Sequence, residues 1–435
     1  METLRGLEVT TNSIQVIDKI NYFHQQILGS GNNASIILDA VNENPHNLLL
    51  QTYAAAFYLY AQEDAATEIA ANYLLQAEKQ LQKANLREKL TFQAVRAWQR
   101  LDYEAALTLL TSLVELFPRD TLALKFAEWL FYCSGQAFHA QTFLALCESC
   151  ARHNQDESHF LAIHSFALEL CGQYEKAKAM AEQAISMERV TPWAHHTLAH
   201  TYLLENDIEG GINRLQNLQD SWANILSLLR GHNSWHLALF HLANRDEATT
   251  MKLFPDIFGT LPDTALEQLD AISLLWRMDM AGLPQNKIFK LVLSHIGTHP
   301  FEHYIGFNNA HFIYCLAKAD ELELADKSLK AMESYINVLP VGSSRDLWGK
   351  IALPMCQGIK AFAQQDYKSA CNLMSPIIDN CIQLGGSDAQ NELYTQTYLL
   401  SLLKCNQQEK AGQFFAKHLS HYQNTALADY WFHDA

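Results

Sequence analysis

The stretch LDYEAALTLLTSLVELFP, Leu101–Pro118, carries the reading of the fold. It is a polar turn followed by a small residue, Ala106, that opens a helix, and Pro118 closes the unit twelve residues later. Seven further segments have this shape: SGQAFHA (134–140), CGQYEKA (171–177), NDIEGG (206–211), ANRDEA (243–248), ADELELA (319–325), QQDYKSA (364–370) and NQQEKA (406–411). Each turn ends on Ala or Gly at the start of a helix.

The small residues lie at 106, 140, 177, 211, 248, 325, 370 and 411, so the first intervals are 34, 37, 34 and 37. The next, 77, reads as two units with a degenerate one near 285. A period near 34 with a small residue opening the second helix is the tetratricopeptide signature. Between the turns, EKAKAMAEQAISM (175–187) and ELADKSLKAMESYINVL (323–339) are apolar at i, i+3, i+4 and i+7 and rich in helix formers. No alternating strand pattern competes with them. The expectation is an all-α chain, a TPR-like α-solenoid of stacked antiparallel helix pairs curled around a concave inner surface. First helices would line that surface and second helices the outside. The array is expected to run as one body over 1–435, most regular about 85–250 and more irregular over 251–435.

Bulk composition narrows the function. Hydrophobic residues make up 49% and charged residues only 18%, which fits a well-packed body and excludes disorder. The net charge of −16 repels phosphate backbones, so neither nucleic acid nor an anionic membrane is an expected partner. Nine scattered Cys, an odd number, fit reduced thiols better than a disulfide framework. The lone Cys147-x-x-Cys150 reads as two helix residues rather than half a zinc site. The opening METLRGLEVTTNS has no basic segment followed by an apolar run, and YAAAFYLYA (53–61) is too short to span a bilayer. A cytoplasmic location is expected.

Chemistry concentrates in the middle third. Ten of the 19 His fall between 195 and 311, where about five are expected by chance. In WAHHTLAHTY (193–202), His196 and His200 share a helical face, and His232 and His236 in HNSWH repeat the spacing. Repeat counting puts both pairs on first helices of consecutive units, so four imidazoles are expected to converge, a donor set suited to Zn, Cu, Fe or Ni. Neither pair carries the Glu of an HExxH motif. Asp346 is the first candidate for a missing carboxylate and Asp270 the second. Three readings stay open: a bound metal, a polar pocket without metal, and histidines that only pack. His299 and His303 straddle Pro300 and are read as coincidence. His311, in FNNAHF, is expected to face inward with Asn308 and Asn309 capping its helix. In SSRDLW, Arg345 is either a carboxylate or phosphate ligand or the partner of a capping Asp346. LGGSDAQ (384–390) is a glycine turn before a helix capped by Ser387 or Asp388; it lacks the P-loop Lys. Trp193, Trp235 and Trp276 lie beside these polar groups and are candidates for pocket walls as well as for packing.

In combination, DTLALKFAEWLFYCSGQ (120–136), WAHHTLAHTYLLENDIEGGI (193–212), HNSWHLALFHL (232–242), FNNAHF (307–312) and IQLGGSDAQ (382–390) resemble the tetratricopeptide-repeat-protein-38-like family over roughly residues 10–405. The resemblance implies an α-helical repeat protein and names no activity. It also implies that His196, His200, His232, His236, His311, Arg345, Asp346, Gly385, Gly386, Ser387 and Gln390 belong to the family pattern, whereas His195 and Asp388 depart from it.

Two function classes follow. In one, a His-lined central pocket in the concave face binds a small molecule. Metal- or His-dependent chemistry is available there, with His311, Asp346 and Arg345 as catalytic candidates and Trp193, Trp235, Asn308, Arg345 and Gln390 as ligand contacts. The metal would be a divalent transition ion on His196, His200, His232 and His236. In the other, the array is a scaffold that holds a peptide or protein in its groove without catalysis. Clustering of His, Trp and Asn, rather than evenly spaced Asn, Lys and Arg, favours the first.

Overall fold

The computed structural model describes residues 1–433. Among the described residues it is all helical, and the only β pairing is two isolated bridges, Glu2 with Glu8 and Gly31 with Ile225. The helices follow one another as α1 (Ile14–Leu28), α2 (Ile36–Glu43), α3 (Leu48–Leu59), α4 (Asp64–Glu78), α5 (Leu86–Gln99), α6 (Tyr103–Leu116), α7 (Thr121–Ser134), α8 (Ala140–Cys150), α9 (Ser158–Leu170), α10 (Tyr174–Met187), α11 (Pro192–Leu204) and α12 (Ile208–Gln216). The second half contains α13 (Ser227–Ala243), α14 (Glu247–Ile257), α15 (Ala265–Met280), α16 (Asn286–Leu293), α17 (Gly306–Lys318), α18 (Leu322–Val338), α19 (Ser343–Leu347), α20 (Leu353–Ala363), α21 (Tyr367–Met374), α22 (Asp388–Lys404), α23 (Gln408–His418) and α24 (Ala426–His433). No described helix is long and apolar enough to cross a membrane.

Seven hairpins share one turn, and its chemistry explains the repeat. The first helix ends in a residue with left-handed φ, between 54° and 71° at Leu101, Gly172, Asn206, Arg245, Asp320, Gln365 and Asn406. The next residue donates its N–H to the carbonyl five positions back, as Asp102 does to Ala97 (3.0 Å) and Asp207 to Tyr202 (2.9 Å), which satisfies the frayed helix end. That same residue then caps the second helix. Asp102, Asp207, Asp246 and Asp366 accept from the N–H three residues on. Four residues past the cap, one turn in, the second helix meets its neighbours, and there Ala106, Ala177, Gly211, Thr250, Ala325, Ala370 and Ala411 are all buried. At Gly211 the reason is explicit: a Cβ would lie 2.3 Å from the Phe240 ring of α13.

The geometry adjusts two sequence assignments. In ANRDEA the cap is Asp246, so the buried contact falls on Thr250, and Ala248 is exposed. In SGQAFHA the left-handed residue is Gly135, and α8 begins only at Ala140, so the position four past the cap falls on Phe143, while Ala140 is buried as well. The irregular segment near 285 keeps the turn in altered form: Leu283 N–H bonds the Met278 carbonyl (2.8 Å), Gln285 caps α16, and Phe289 is buried four residues on.

The chain packs as two compact units, residues 1–198 with 218–229, and residues 199–217 with 230–435. Within the first, α3 with α4, α5 with α6 and α9 with α10 pack as hairpins, and α1 packs against α7. His24 of α1 bonds Thr121 of α7 (2.9 Å), and Arg87 pairs with Asp120 (2.9 Å), both buried. Within the second, α17 packs on α15, α16, α18 and α20, while α22 crosses back to α15. Arg277 of α15 donates to the Ala389 carbonyl of α22 (2.7 Å), and Trp431 of α24 donates to the Met280 carbonyl (3.1 Å). First and second helices differ in kind. The second helices α10, α16 and α23 bury one stripe, whereas α9, α15, α17 and α22 are buried on nearly every face. In α22 the buried side chains include Gln390, Asn391, Glu392, Thr395, Gln396, Thr397 and Ser401. A wholly buried helix with that composition is not a packing element alone.

Candidate functional site

The second unit brings together three of the four predicted imidazoles and two carboxylates. His200 lies on the part of α11 belonging to this unit, and His232 and His236 lie one turn apart on α13. His236 sits between the other two, its ring centroid 4.7 Å from that of His200 and 4.8 Å from that of His232. His232 stacks flat on Trp235 (5.3 Å, 11°) and places Nδ1 3.0–3.1 Å from both oxygens of Asp270 on α15. His200 is fully buried and places Nδ1 2.9 Å from Oδ1 of Asp388, the first residue of α22. The Asp270 carboxylate on His232 Nδ1 fixes that ring and its tautomer, with the proton on Nδ1.

A second cluster lies on α15, α17 and α22 of the same unit. Trp276 stacks on Tyr314 (4.0 Å, 6°) and meets His311 and Tyr394 edge-on at 5.9 Å and 6.5 Å. His311 bonds the Phe307 carbonyl through Nδ1 (2.8 Å). Burial pushes its pKa down to about 3, against the Phe307 bond, which favours the charged form; Arg277 adds to the lowering. Arg277 is itself buried, which lowers its pKa, and its guanidinium carbon is 5.1 Å from the Trp235 ring centre. Further along α22, Glu392 accepts from the Tyr422 hydroxyl (3.0 Å) and lies 2.6 Å from His421 Nε2. Burial lowers the His421 pKa, but Glu392 outweighs it and the net shift is upward.

The glycine turn before α22 assembles this arrangement. Gly385 and Gly386 have φ of 99° and 85°, and a Cβ on Gly386 would press on the Phe307 ring at 2.9 Å. Ser387 caps α22 in a reciprocal box: its N–H donates to Gln390 Oε1 (3.0 Å) and its hydroxyl accepts from the Gln390 N–H (3.3 Å). Gln390 therefore serves the cap, and the turn sets Asp388 against His200.

His196 and Trp193 belong to the first unit, where His196 meets Phe166 and Trp193 edge-on (4.9 and 5.5 Å). Trp193 donates to the Ser30 hydroxyl (2.9 Å) beneath the Lys125 ammonium, 3.5 Å above its ring. Arg345 and Asp346 sit on the short α19, and Asp346 is exposed and paired with Lys350 (3.0 Å). The carboxylates that meet His232 and His200 are thus Asp270 and Asp388, not Asp346. Asn308 and Asn309 are buried within α17 rather than at its cap, which is Ile305, and Asn309 ties back to the Pro300 and Glu302 carbonyls. Cys147 and Cys150 are buried in α8, and burial pushes both thiols up, Cys150 to about 11, so neither is a ready thiolate. Sequence reasoning missed Arg277, Asn391 and Tyr394. The one legible signal was a lone Arg inside the apolar run LLWRMDM (274–280). No family model matches the chain.

Proposed function

We propose that the protein is a helical-repeat protein of the α-solenoid type, akin to the tetratricopeptide-repeat-protein-38-like family. Its second unit would supply His232 and His236 as ligands to one divalent transition metal and bind a small molecule beside it. The observation that carries this reading is the pair of carboxylate–imidazole contacts, Asp270 on His232 and Asp388 on His200, with the His236 ring between them. Packing alone gives no reason to gather three rings and two carboxylates, because each buried polar group adds a desolvation cost. Zinc, iron, copper or nickel suits such a set, and a metal there would polarise a carbonyl or activate water.

The test is metal analysis of protein purified without a His tag, followed by calorimetric titration of the metal-free form with zinc. About one bound equivalent is expected. His236→Ala should abolish binding, and Asp270→Asn should weaken it roughly 10–100-fold. Failure of the metal-free wild type to take up zinc, copper, nickel or ferrous iron removes the metal from this reading.

A further inference from the structure

Arg277 is a buried cation that the second unit leaves without a counter-ion. It is 3% exposed, and its hydrogen-bond partners among the described residues are all neutral: the Ser273 carbonyl and hydroxyl, the Ala389 carbonyl (2.7 Å) and the Gln390 carbonyl (3.3 Å). Asp270 and Glu392, the carboxylates whose charge bears on it, are engaged elsewhere, Asp270 by His232 and Glu392 by His421 and Tyr422. Its Nε–H has no protein acceptor. A buried guanidinium in this state is costly, and removing one partner of a buried pair is what usually creates it.

Three neighbours are incomplete in complementary ways. Trp276 Nε1–H, on the preceding residue, is buried without an acceptor. Both ends of the Asn391 amide lack a protein partner, and Asn391 lies one turn before Tyr394, whose ring meets Trp276. His311 is more specific. The Phe307 carbonyl can only accept, so the His311 proton resides on Nδ1, and Nε2 presents a lone pair that no group among the described residues fills. Burial keeps that ring neutral at ordinary pH. Folded proteins pair nearly all such groups, so four incomplete ones on two helices and a facing third mark a ligand.

We propose that Arg277, Trp276, Asn391 and His311 bind a small organic acid that carries a hydroxyl or amino group. Its carboxylate accepts from Arg277, Trp276 and Asn391, and its O–H or N–H donates to His311 Nε2. This deepens the small-molecule half of the proposed function and uses none of the proposed metal ligands. The experiment is therefore run on chelator-treated protein, so that failure of the metal site and failure of this one are told apart.

The protein is dialysed to equilibrium against a mixture of two- to six-carbon carboxylic acids. Each acid is present unsubstituted, as its hydroxy and amino forms, and as the primary amides, and retained compounds are read by mass spectrometry. Hydroxy or amino acids are expected to be retained over unsubstituted acids and amides by about tenfold or more. Arg277→Met should abolish retention while raising the melting temperature of the ligand-free protein, because it removes an uncompensated buried charge and the Ala389 and Gln390 carbonyls lie in the first turn of a helix. Trp276→Phe, which keeps a ring and deletes only the N–H donor, should weaken retention in a folded protein. His311→Phe should erase the preference for the hydroxy or amino form and keep the preference for the carboxylate. Retention of none of the acids by the wild type, or retention unchanged in both Arg277→Met and Trp276→Phe, overturns the proposal.

Discussion

His311 shows how one buried side chain ties stability to pH. Its folded pKa is near 3, below the ordinary value of 6.5, so the unfolded chain takes up a proton before the folded one does. The stability it confers is complete above pH 6.5 and is lost progressively as pH falls toward 3. Between pH 7 and pH 5 the loss amounts to about 2 kcal/mol. His311→Phe should flatten the pH dependence of the unfolding free energy by that amount, read from urea melts at pH 7 and pH 5. An unchanged difference between the two pH values would show that the imidazole is not held neutral. His24, lowered to about 4 in the first unit by burial despite the opposing field of Asp120, adds a loss of the same sign in the same window. At this scale the sequence pointed to His200, His232, His236 and His311 through spacing and clustering. It ranked Asp346 above Asp270, because a carboxylate beside an Arg looks functional when only near neighbours are visible. Asp346 instead meets Lys350 one turn away, an exposed pairing that sequence spacing cannot distinguish from a functional one.

Among the helical elements, the repeated turn is the device that sets register. A left-handed residue, a cap and a small residue four positions on put the second helix close against its neighbours, and the cap rather than the first Ala decides which residue is buried. In the α13–α14 hairpin this separates two positions only two residues apart. Thr250→Leu should overpack the contact and destabilise by about 1–3 kcal/mol, whereas Ala248→Leu, on the exposed face, should change stability by about 0.5 kcal/mol or less. Equal thermal shifts in the two variants would contradict the register. Helices, turns and most small-residue positions were legible because each is decided by residues within one or two turns. The exceptions have local causes. Gly135 lengthens the turn before α8, and Asp246 caps two residues later than the pattern of small residues suggested.

For the molecule as a whole, the proposed site links metal to fold. An ion that binds only the folded second unit stabilises it by mass action, about 2.7 kcal/mol at a free concentration one hundred times the dissociation constant. Zinc added to chelator-treated protein should therefore raise the melting temperature of the transition that includes the second unit. The rise should vanish in His236→Ala and persist in His311→Phe. A zinc-induced rise of equal size in His236→Ala would place the metal elsewhere. The same scale explains the polar composition of α22. Its face toward α15 carries Arg277's carbonyl acceptors, and its first residue meets His200, so the proposed site would account for the burial of a helix this polar.

The sequence by itself determined the class of the fold. Helical periodicity, capping Asp residues, left-handed turn positions and small residues at the close contacts are all read over about ten residues, and the chain obeys them nearly throughout. It also marked the middle third as the place where polar chemistry collects. Only the tertiary structure decided which groups meet. His232 finds Asp270 across 38 residues, and Arg277 finds Ala389 across 112. Such pairings depend on how successive helices cross and on α22 returning to α15, and small changes in those crossings would exchange one carboxylate for another. Local rules give a helix its face and its ends. Which face of a distant helix supplies the partner is set by the packing of everything between them.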